Sequence, residues 1–460
     1  MSIILHMEVN KLSYNYFFSK IKKAIIYGIF DNLLISHITD NIKNIKNKRI
    51  FNYTRFRIRK LRLAENFIAR KTNKLSITAH DESIFCILKL NYKINNSITA
   101  IATGSYDHKI KIWNSETGEL NQVLYGHKDC INSLVNLPYE IYINNYTIAS
   151  ASTDKTIRIW DLELNQTLSV ITSHSHYITC MNYSRIYAFN NSCNSFINNY
   201  LISGSYDKTI KVHTIQRENE SSINFEFKLF QTIIVNSRVN TLTLINSKEK
   251  DNNSEIILVG LQDLRILLIN YISNHVLKEF NSDSQIHSMI NIKWSFNNST
   301  IALAGSLNDI LLINLNNLTN NLTNNSDITH MVTKTLKGHS DHVYCLVQVP
   351  HTSHMYTENI IVSGSTDYTI KFWNIVKGEL IKSINAHNGY VLCLIYFIDD
   401  ERSCSSCYKD NKSVCFNNCF CLDGEFVNKV QQNKKYDKKL TLISGSRDKT
   451  IKIWKSGLYS

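Results

Sequence analysis

The chain has 460 residues, 43% of them hydrophobic, so it is long and apolar enough to bury a large core, and it carries a formal net charge of +13. Its longest apolar-rich run, residues 24–38, is too short for a bilayer and contains Asp31, which argues against a helical membrane span. Eleven cysteines without a secretory leader, since MSIILHMEVNK reaches Glu8 and Lys11 after a short apolar run, predict reduced thiols and an intracellular protein, cytoplasmic or nuclear.

The N-terminal region holds nearly all the charge. Residues 1–76 carry 16 Lys and Arg against four acids, whereas residues 77–460 carry 35 against 34. Within an arm spanning 1–70, apolar residues at 17, 21, 25, 29, 33, 38, 42 and 45 recur near helical spacing and predict an amphipathic helix, broken at Gly28. Residues 43–62 contain nine basic side chains and no acid, with Tyr53 and Phe56 among them. This stretch suits nucleic-acid phosphates, an anionic membrane surface or a nuclear address around Lys46 to Arg49. It equally suits a solvated helix face packed on the rest of the chain or on a partner. A mitochondrial presequence fits poorly, because the first ten residues hold no Arg and already include Glu8.

From residue 71 onward the chain repeats itself. The phrases GSYDHKIKIW (104–113), ASTDKTIRIW (151–160), GSYDKTIKVH (204–213), GSTDYTIKFW (364–373) and GSRDKTIKIW (445–454) share one internal spacing. Each follows an anchoring histidine: His80, His127, His174, His339 or His387. Two eroded copies fill the gap between the third and fourth. One runs from Val235 and keeps Asp263, with Ile269 at the aromatic position; the other runs from Ser282, with Ser306, Asn308 and Asn314. The anchors 80, 127, 174, 235, 282, 339 and 387 are 47, 47, 61, 47, 57 and 48 residues apart. Runs such as TIRIW and TIKFW alternate with period two and are bounded by Gly, Asn, Asp and Ser, so they are strands. A four-stranded unit of this size cannot cover both of its faces alone, and copies must stack.

These residues resemble the WD-repeat family, the β-propellers of the G-protein beta subunit type, over residues 71–460. The likeness implies an all-β, seven-bladed β-propeller carrying the short basic, helical N-terminal arm, with the run 71–78 supplying the outer strand of the last blade. It also implies structural tetrads in which Asp accepts from His and Ser links His to Trp. These are His80, Ser105, Asp107 and Trp113; His127, Ser152, Asp154 and Trp160; His174, Ser205, Asp207 and His213; His339, Ser365, Asp367 and Trp373; and His387, Ser446, Asp448 and Trp454. The two eroded blades should be the looser ones.

A Ser, His and Asp trio also invites a hydrolase reading. Five copies in one register argue instead for a buried hydrogen-bonded fastening, and no phosphate-binding glycine loop or His-Glu-x-x-His motif is present. No catalytic residue, enzyme activity or cofactor is expected. Cys86, Cys180, Cys345 and Cys393 all sit six residues after an anchor and read as core. Cys404, Cys407, Cys415, Cys419 and Cys421 cluster in an insertion within the last unit; they offer enough thiolates for a tetrahedral zinc, or reflect polar low-complexity drift. The Asn-rich stretches 190–199, 246–255 and 314–327 fall between strands and read as surface loops.

The residue before each turn Asp (Tyr106, Thr153, Tyr206, Thr366, Arg447) and the residue three after each anchor (Ser83, Cys130, Tyr177, His342, Tyr390) should point out of one face. Tyr and Arg are enriched at binding hot spots, which singles out Tyr106, Tyr177, Tyr206, Tyr390 and Arg447 as partner-binding candidates. The sequence therefore predicts a non-catalytic scaffold or adaptor, a monomeric propeller within a multiprotein complex, that docks proteins or peptides on one face. Two alternatives stand beside it. A ubiquitin-ligase substrate receptor is one, although no Leu-Pro start of an F-box appears and Trp160-Asp161-Leu162-Glu163 has Glu where adaptor-binding relatives carry Arg. An RNA-associated factor using the basic arm is the other.

Overall fold

The structure, a computed structural model, describes residues 73–94, 98–137, 146–189, 195–217, 225–245, 256–293, 300–305, 308–314, 332–349, 360–399 and 439–455. The arm 1–70, with its expected helix and basic stretch, and the cysteines at 404, 407, 415, 419 and 421 lie outside these residues.

Among the described residues, all regular structure is antiparallel β, in seven four-stranded sheets. The first comprises β2 (Ile84–Ile94), β3 (Ile98–Ser105), β4 (Ile110–Asn114) and β5 (Leu120–Leu124). The second comprises β6 (Ile131–Asn136), β7 (Thr147–Ser152), β8 (Ile157–Asp161) and β9 (Gln166–Ile171). In the third, β10 (Ile178–Phe189), β11 (Ser195–Ser205), β12 (Thr209–Arg217) and β13 (Phe225–Ile234) are longer than their counterparts in the second. The fourth holds β14 (Val239–Ile245), β15 (Ile256–Leu261), β16 (Arg265–Asn270) and β17 (His275–Asn281). The fifth holds β18 (Ser288–Lys293), β19 (Thr300–Gly305), β20 (Ile310–Asn314) and β21 (Val332–Leu336). The sixth holds β22 (Val343–Gln348), β23 (Ile360–Ser365), β24 (Thr369–Asn374) and β25 (Glu379–Asn385).

The seventh sheet is assembled from both ends of the repeat region. Its strands β26 (Val391–Asp399), β27 (Lys439–Ser446) and β28 (Thr450–Lys455) are completed by β1 (Asn73–Thr78), which pairs along β28 from Asn73 opposite Lys455 to Thr78 opposite Thr450. The first strands of successive sheets pack side by side, β2 on β6 and so on to β22 on β26, and β26 returns to β2. The ring is closed.

Stacking explains the burial along each strand. In β8, Ile157 and Ile159 face one neighbouring sheet while Trp160 faces the other, and all three are buried. The outermost strands cover one face only, so β9 and β25 alternate between exposed and half-buried side chains.

Glycine sets the distance between sheets. Gly104, Gly204, Gly364 and Gly445 lie opposite Cys86, Cys180, Cys345 and Cys393 on the adjacent strand. A Cβ on Gly104 would stand 2.6 Å from both Cys86 Sγ and the Ile131 side chain of the next sheet. The thiols also bridge sheets. Cys86 Sγ donates to the Ile131 carbonyl (3.6 Å), Cys345 to Val391 (3.7 Å) and Cys393 to Ile84 across the closure (3.8 Å). The second sheet tolerates Ala151 at this position because Ser133, with a shorter side chain, stands opposite.

Gly104→Ala is therefore expected to destabilise the fold by about 1–3 kcal/mol through overpacking. Adding Cys86→Ser should recover part of that loss, and urea melts of the two variants measure it. Removing β1 by starting the chain at Ala79 leaves β28 with a bare edge and should lower the melting temperature, as read by circular dichroism.

Candidate functional site

Every full repeat places a polar chain of atoms between its anchor and its turn. In the second sheet, His127 Nδ1 lies 2.8 Å from Asp154 Oδ2, and His127 Nε2 lies 2.6 Å from Ser150 Oγ, which accepts from Trp160 Nε1 at 2.7 Å. An ionised carboxylate can only accept, so Nδ1 carries the imidazole proton. Nε2 then accepts from the Ser150 hydroxyl, which accepts from the indole. The same arrangement joins His80, Thr103, Asp107 and Trp113; His339, Ser363, Asp367 and Trp373; and His387, Ser444, Asp448 and Trp454.

The linking hydroxyl thus differs from the one expected. Ser105, Ser152, Ser205, Ser365 and Ser446 do not bridge His and Trp; Thr103, Ser150, Ser203, Ser363 and Ser444, two residues earlier, contact the imidazoles instead. Register is the reason. Trp160 pairs with Ile148, which makes Ser150 its diagonal neighbour on the same face and leaves Ser152 one step farther along. Ser152 serves the turn: it accepts from the Asp154 amide at 3.0 Å and donates to the Asp129 carbonyl at 3.1 Å.

The carboxylate is the hub. Asp154 Oδ2 also accepts from the Lys128 amide at 2.9 Å, and Oδ1 accepts from the Thr156 amide (2.9 Å) and hydroxyl (2.6 Å). Burial alone would raise these carboxyls, but hydrogen bonds from histidine and threonine outweigh it and hold Asp154, Asp207, Asp367 and Asp448 far below the usual range. Asp107, followed by Lys109 where the others have Thr, is held at about 2. Burial keeps His80 and His127 below the ordinary imidazole value, against the pull of their aspartates.

The cations of the same strands close the crossover between sheets. Lys111, Lys371 and Lys452 Nζ donate to the carbonyls of Ala79, Gly338 and Ala386, each just before an anchor histidine, at 2.8, 2.5 and 2.6 Å, and Lys211 does so to Ser173. Beyond each turn Asp, a residue in the left-handed region (His108, Lys155, Lys208, Leu264, Tyr368 or Lys449) finishes the hairpin. Several of these aim a carbonyl at the next anchor segment; Lys449 O accepts from Ala79 N at 2.9 Å.

The third set is incomplete. His174 contacts Ser203 and Asp207, each at 2.8 Å, but His213, at the indole position and 1% exposed, has no hydrogen-bond partner on either ring nitrogen. Burial lowers its pKa to about 4. In the fourth sheet the network is absent altogether: Val235, Val259, Leu261 and Ile269 are all buried, and Asp263 instead pairs with Arg265 at 2.6 Å. Replacing every partner together leaves no buried unpaired side-chain polar atom among the described residues of this sheet.

These fastenings present one face. The amide before each turn Asp donates to the carbonyl three residues after the anchor, always at 2.9 Å: Tyr106 to Ser83, Thr153 to Cys130, Tyr206 to Tyr177, Thr366 to His342 and Arg447 to Tyr390. Gln262 to Arg238 continues the series in the fourth sheet. Tyr106 and Tyr177 are 53% and 41% exposed and Arg447 is exposed, whereas Cys130 and Thr366 are buried.

The candidates fall into two clusters. Tyr206 lies 6.2 Å from Tyr177 and carries the Arg238 guanidinium 5.1 Å over its ring, with His176 beside both tyrosines. Tyr390 stacks on Tyr368 at 5.9 Å and carries Arg447 at 4.9 Å. Between them, His287 stacks on Tyr344 at 4.7 Å and meets His342 edge-on at 5.5 Å. Tyr106 stands apart, with His108 as its aromatic neighbour. Arg238 was legible only by counting three residues past Val235 as though it were an anchor, and His287 and Tyr344 by counting five past Ser282 and His339. Among the described residues no group of three metal-ligating side chains occurs.

Ser150→Ala should cost about 1–3 kcal/mol by stranding an imidazole and an indole. Ser152→Ala, which leaves both partnered, should cost less, and chemical denaturation compares them. A histidine held below its unfolded value binds its proton less readily when folded, so stability falls as pH drops below about 6.5. His213→Phe should raise the melting temperature at pH 7 and shrink its decline toward pH 5. The aspartate contribution is lost only below about 3.9, as pH approaches the folded values.

A family model described as "WD domain, G-beta repeat" matches residues 71–114, 118–161, 165–214, 331–374 and 417–455. The Drosophila melanogaster F-box/WD repeat-containing protein 7 is 41% identical over 58 residues, 13% of this chain and 4% of that protein. An uncharacterised WD repeat-containing protein of Schizosaccharomyces pombe is 40% identical over 67 residues, 14% of this chain and 16% of the relative. The nuclear distribution protein PAC1 of Candida tropicalis is 33% identical over 124 residues, 26% of this chain and 21% of the relative. The matches thus span no more than about a fifth of these relatives. With four of the five matched repeats each supplying the outer strand of one four-stranded sheet and the first three strands of the next, and with fastenings repeated from sheet to sheet, this chain belongs to the WD-repeat family of β-propellers.

Proposed function

We propose that the protein is a non-catalytic scaffold or adaptor that docks proteins or peptides on the face formed by the Asp turns. The observation that carries this reading is the pairing of exposed arginines with half-buried tyrosines, Arg238 over Tyr206 and Arg447 over Tyr390, on a scaffold whose turns are individually pinned. Loops held by a rigid frame concentrate recognition residues, and Tyr and Arg side chains supply contact area at low entropic cost. The Ser, His and Asp trios are consumed in fastening, with histidines and linking hydroxyls buried, so they offer a substrate no nucleophile. Propellers of this family generally lack catalysis of their own. Among the described residues no helix is long and apolar enough to cross a membrane.

The likeness to an F-box/WD protein covers 4% of that relative, so it supports the propeller rather than the ligase reading. Pull-down from cell extract with Tyr206→Ala combined with Arg447→Ala should lose partners that the unaltered chain retains, with a melting temperature unchanged within about 2 °C. Retention of every partner would remove this face from the proposal.

A further inference from the structure

Rings and charges are unevenly distributed around the Asp-turn face. The aromatic groups run as a crescent over the third to seventh sheets, from Tyr177 and Tyr206 through Tyr344 to Tyr390, while the first and second sheets present Ser83, Tyr106, Cys130 and Thr153. Two guanidiniums, Arg238 and Arg447, are exposed at this crescent, and both lie over tyrosine rings.

Three carboxylates of the anchor segments are already engaged, and Asp283, in the anchor segment of the fifth sheet, is exposed. Asp341 faces His342 at 3.8 Å, Glu82 pairs with Lys449 at 3.3 Å, and Asp81 pairs with Lys109 at 2.8 Å. Among the described residues no carboxylate pairs with Arg238 or Arg447. A ring beneath a guanidinium orients its plane without filling its donors, so the N–H groups remain directed at solvent. Tyr344, half-buried and stacked on His287 at 4.7 Å, belongs to the sixth sheet, between the sheets that carry Tyr206 and Tyr390.

We propose that this crescent binds an acidic peptide segment of a partner protein, with carboxylates seated on Arg238 and Arg447 and its side chains lying against Tyr206, Tyr344 and Tyr390. This deepens the docking function above and rests on it. Charge complementarity selects the occupant: two preset cations at discrete positions suit two carboxylates. A nucleic acid fits less well, because residues 77–460 carry 35 Lys and Arg against 34 acids and so lack the broad positive field that a polyanion requires.

The test uses the full chain and a fluorescein-labelled peptide of repeated Glu-Ala-Glu, with its Gln-Ala-Gln counterpart, followed by fluorescence anisotropy. The acidic peptide should bind at least about tenfold more tightly, the effect of about 1.4 kcal/mol from charge-assisted hydrogen bonds. Arg238→Gln and Arg447→Gln should each weaken it about tenfold, while Lys228→Gln on the outer strand of the third sheet, an equal loss of charge, should leave it within about twofold. Equal binding of both peptides, absence of binding, or indifference to either arginine overturns the proposal. So does a single-stranded RNA oligomer that binds more tightly than the peptide and depends on the same arginines. Partners that are lost with the Tyr206 and Arg447 pair, yet are not displaced by excess acidic peptide, would leave the docking face standing and refute its acidic specificity.

Discussion

The fold depends on a buried carboxylate that is never short of donors. In each full repeat the turn aspartate accepts from an imidazole and from two backbone amides, and in four of the five also from a threonine hydroxyl. That concentration of donors keeps it ionised inside the protein. The ionised carboxylate in turn assigns the imidazole proton, the hydroxyl direction and the indole partner, so one charge orients a chain of neutral groups.

The anchor histidine belongs to the crossover between sheets, and the aspartate to the turn of the next sheet. Their bond therefore fixes how one blade hands the chain to another, as well as the shape of a hairpin. The lysine on the preceding carbonyl and the left-handed residue after the aspartate brace the same crossover from its two sides. The fourth sheet reaches comparable burial with Val235, Val259 and Ile269, which shows that the crossover needs filling rather than any one chemistry. His213 marks the intermediate case: one partner was changed while the others stayed, and its two nitrogens are left without bonds.

A scaffold braced in this way leaves its outward residues unburdened. Because each pre-aspartate amide is bonded to the carbonyl beside it, the side chains of Tyr206, Arg447 and Arg238 sit on immobilised backbone. The contacts of Arg238 with Tyr206 and of Arg447 with Tyr390 are thereby pre-organised, which would reduce the ordering cost of the proposed docking.

Much of this was readable in the chain itself. Repeated spacing determined the strands, the turns and the identity of the His, Asp and Trp positions, because a residue's place in a two-residue period and a tight turn is local information. The partnership of Ser150 rather than Ser152 was not local. Both hydroxyls lie on the same face of β7, and only the register with β8 decides which of them the indole can reach. The joining of β1 to β28, the cross-sheet thiol contacts and the convergence of Arg238 with Tyr206 likewise depend on residues far apart in sequence meeting when the ring closes. Sequence determines what each blade is made of; closure of the ring determines which residues of neighbouring blades touch.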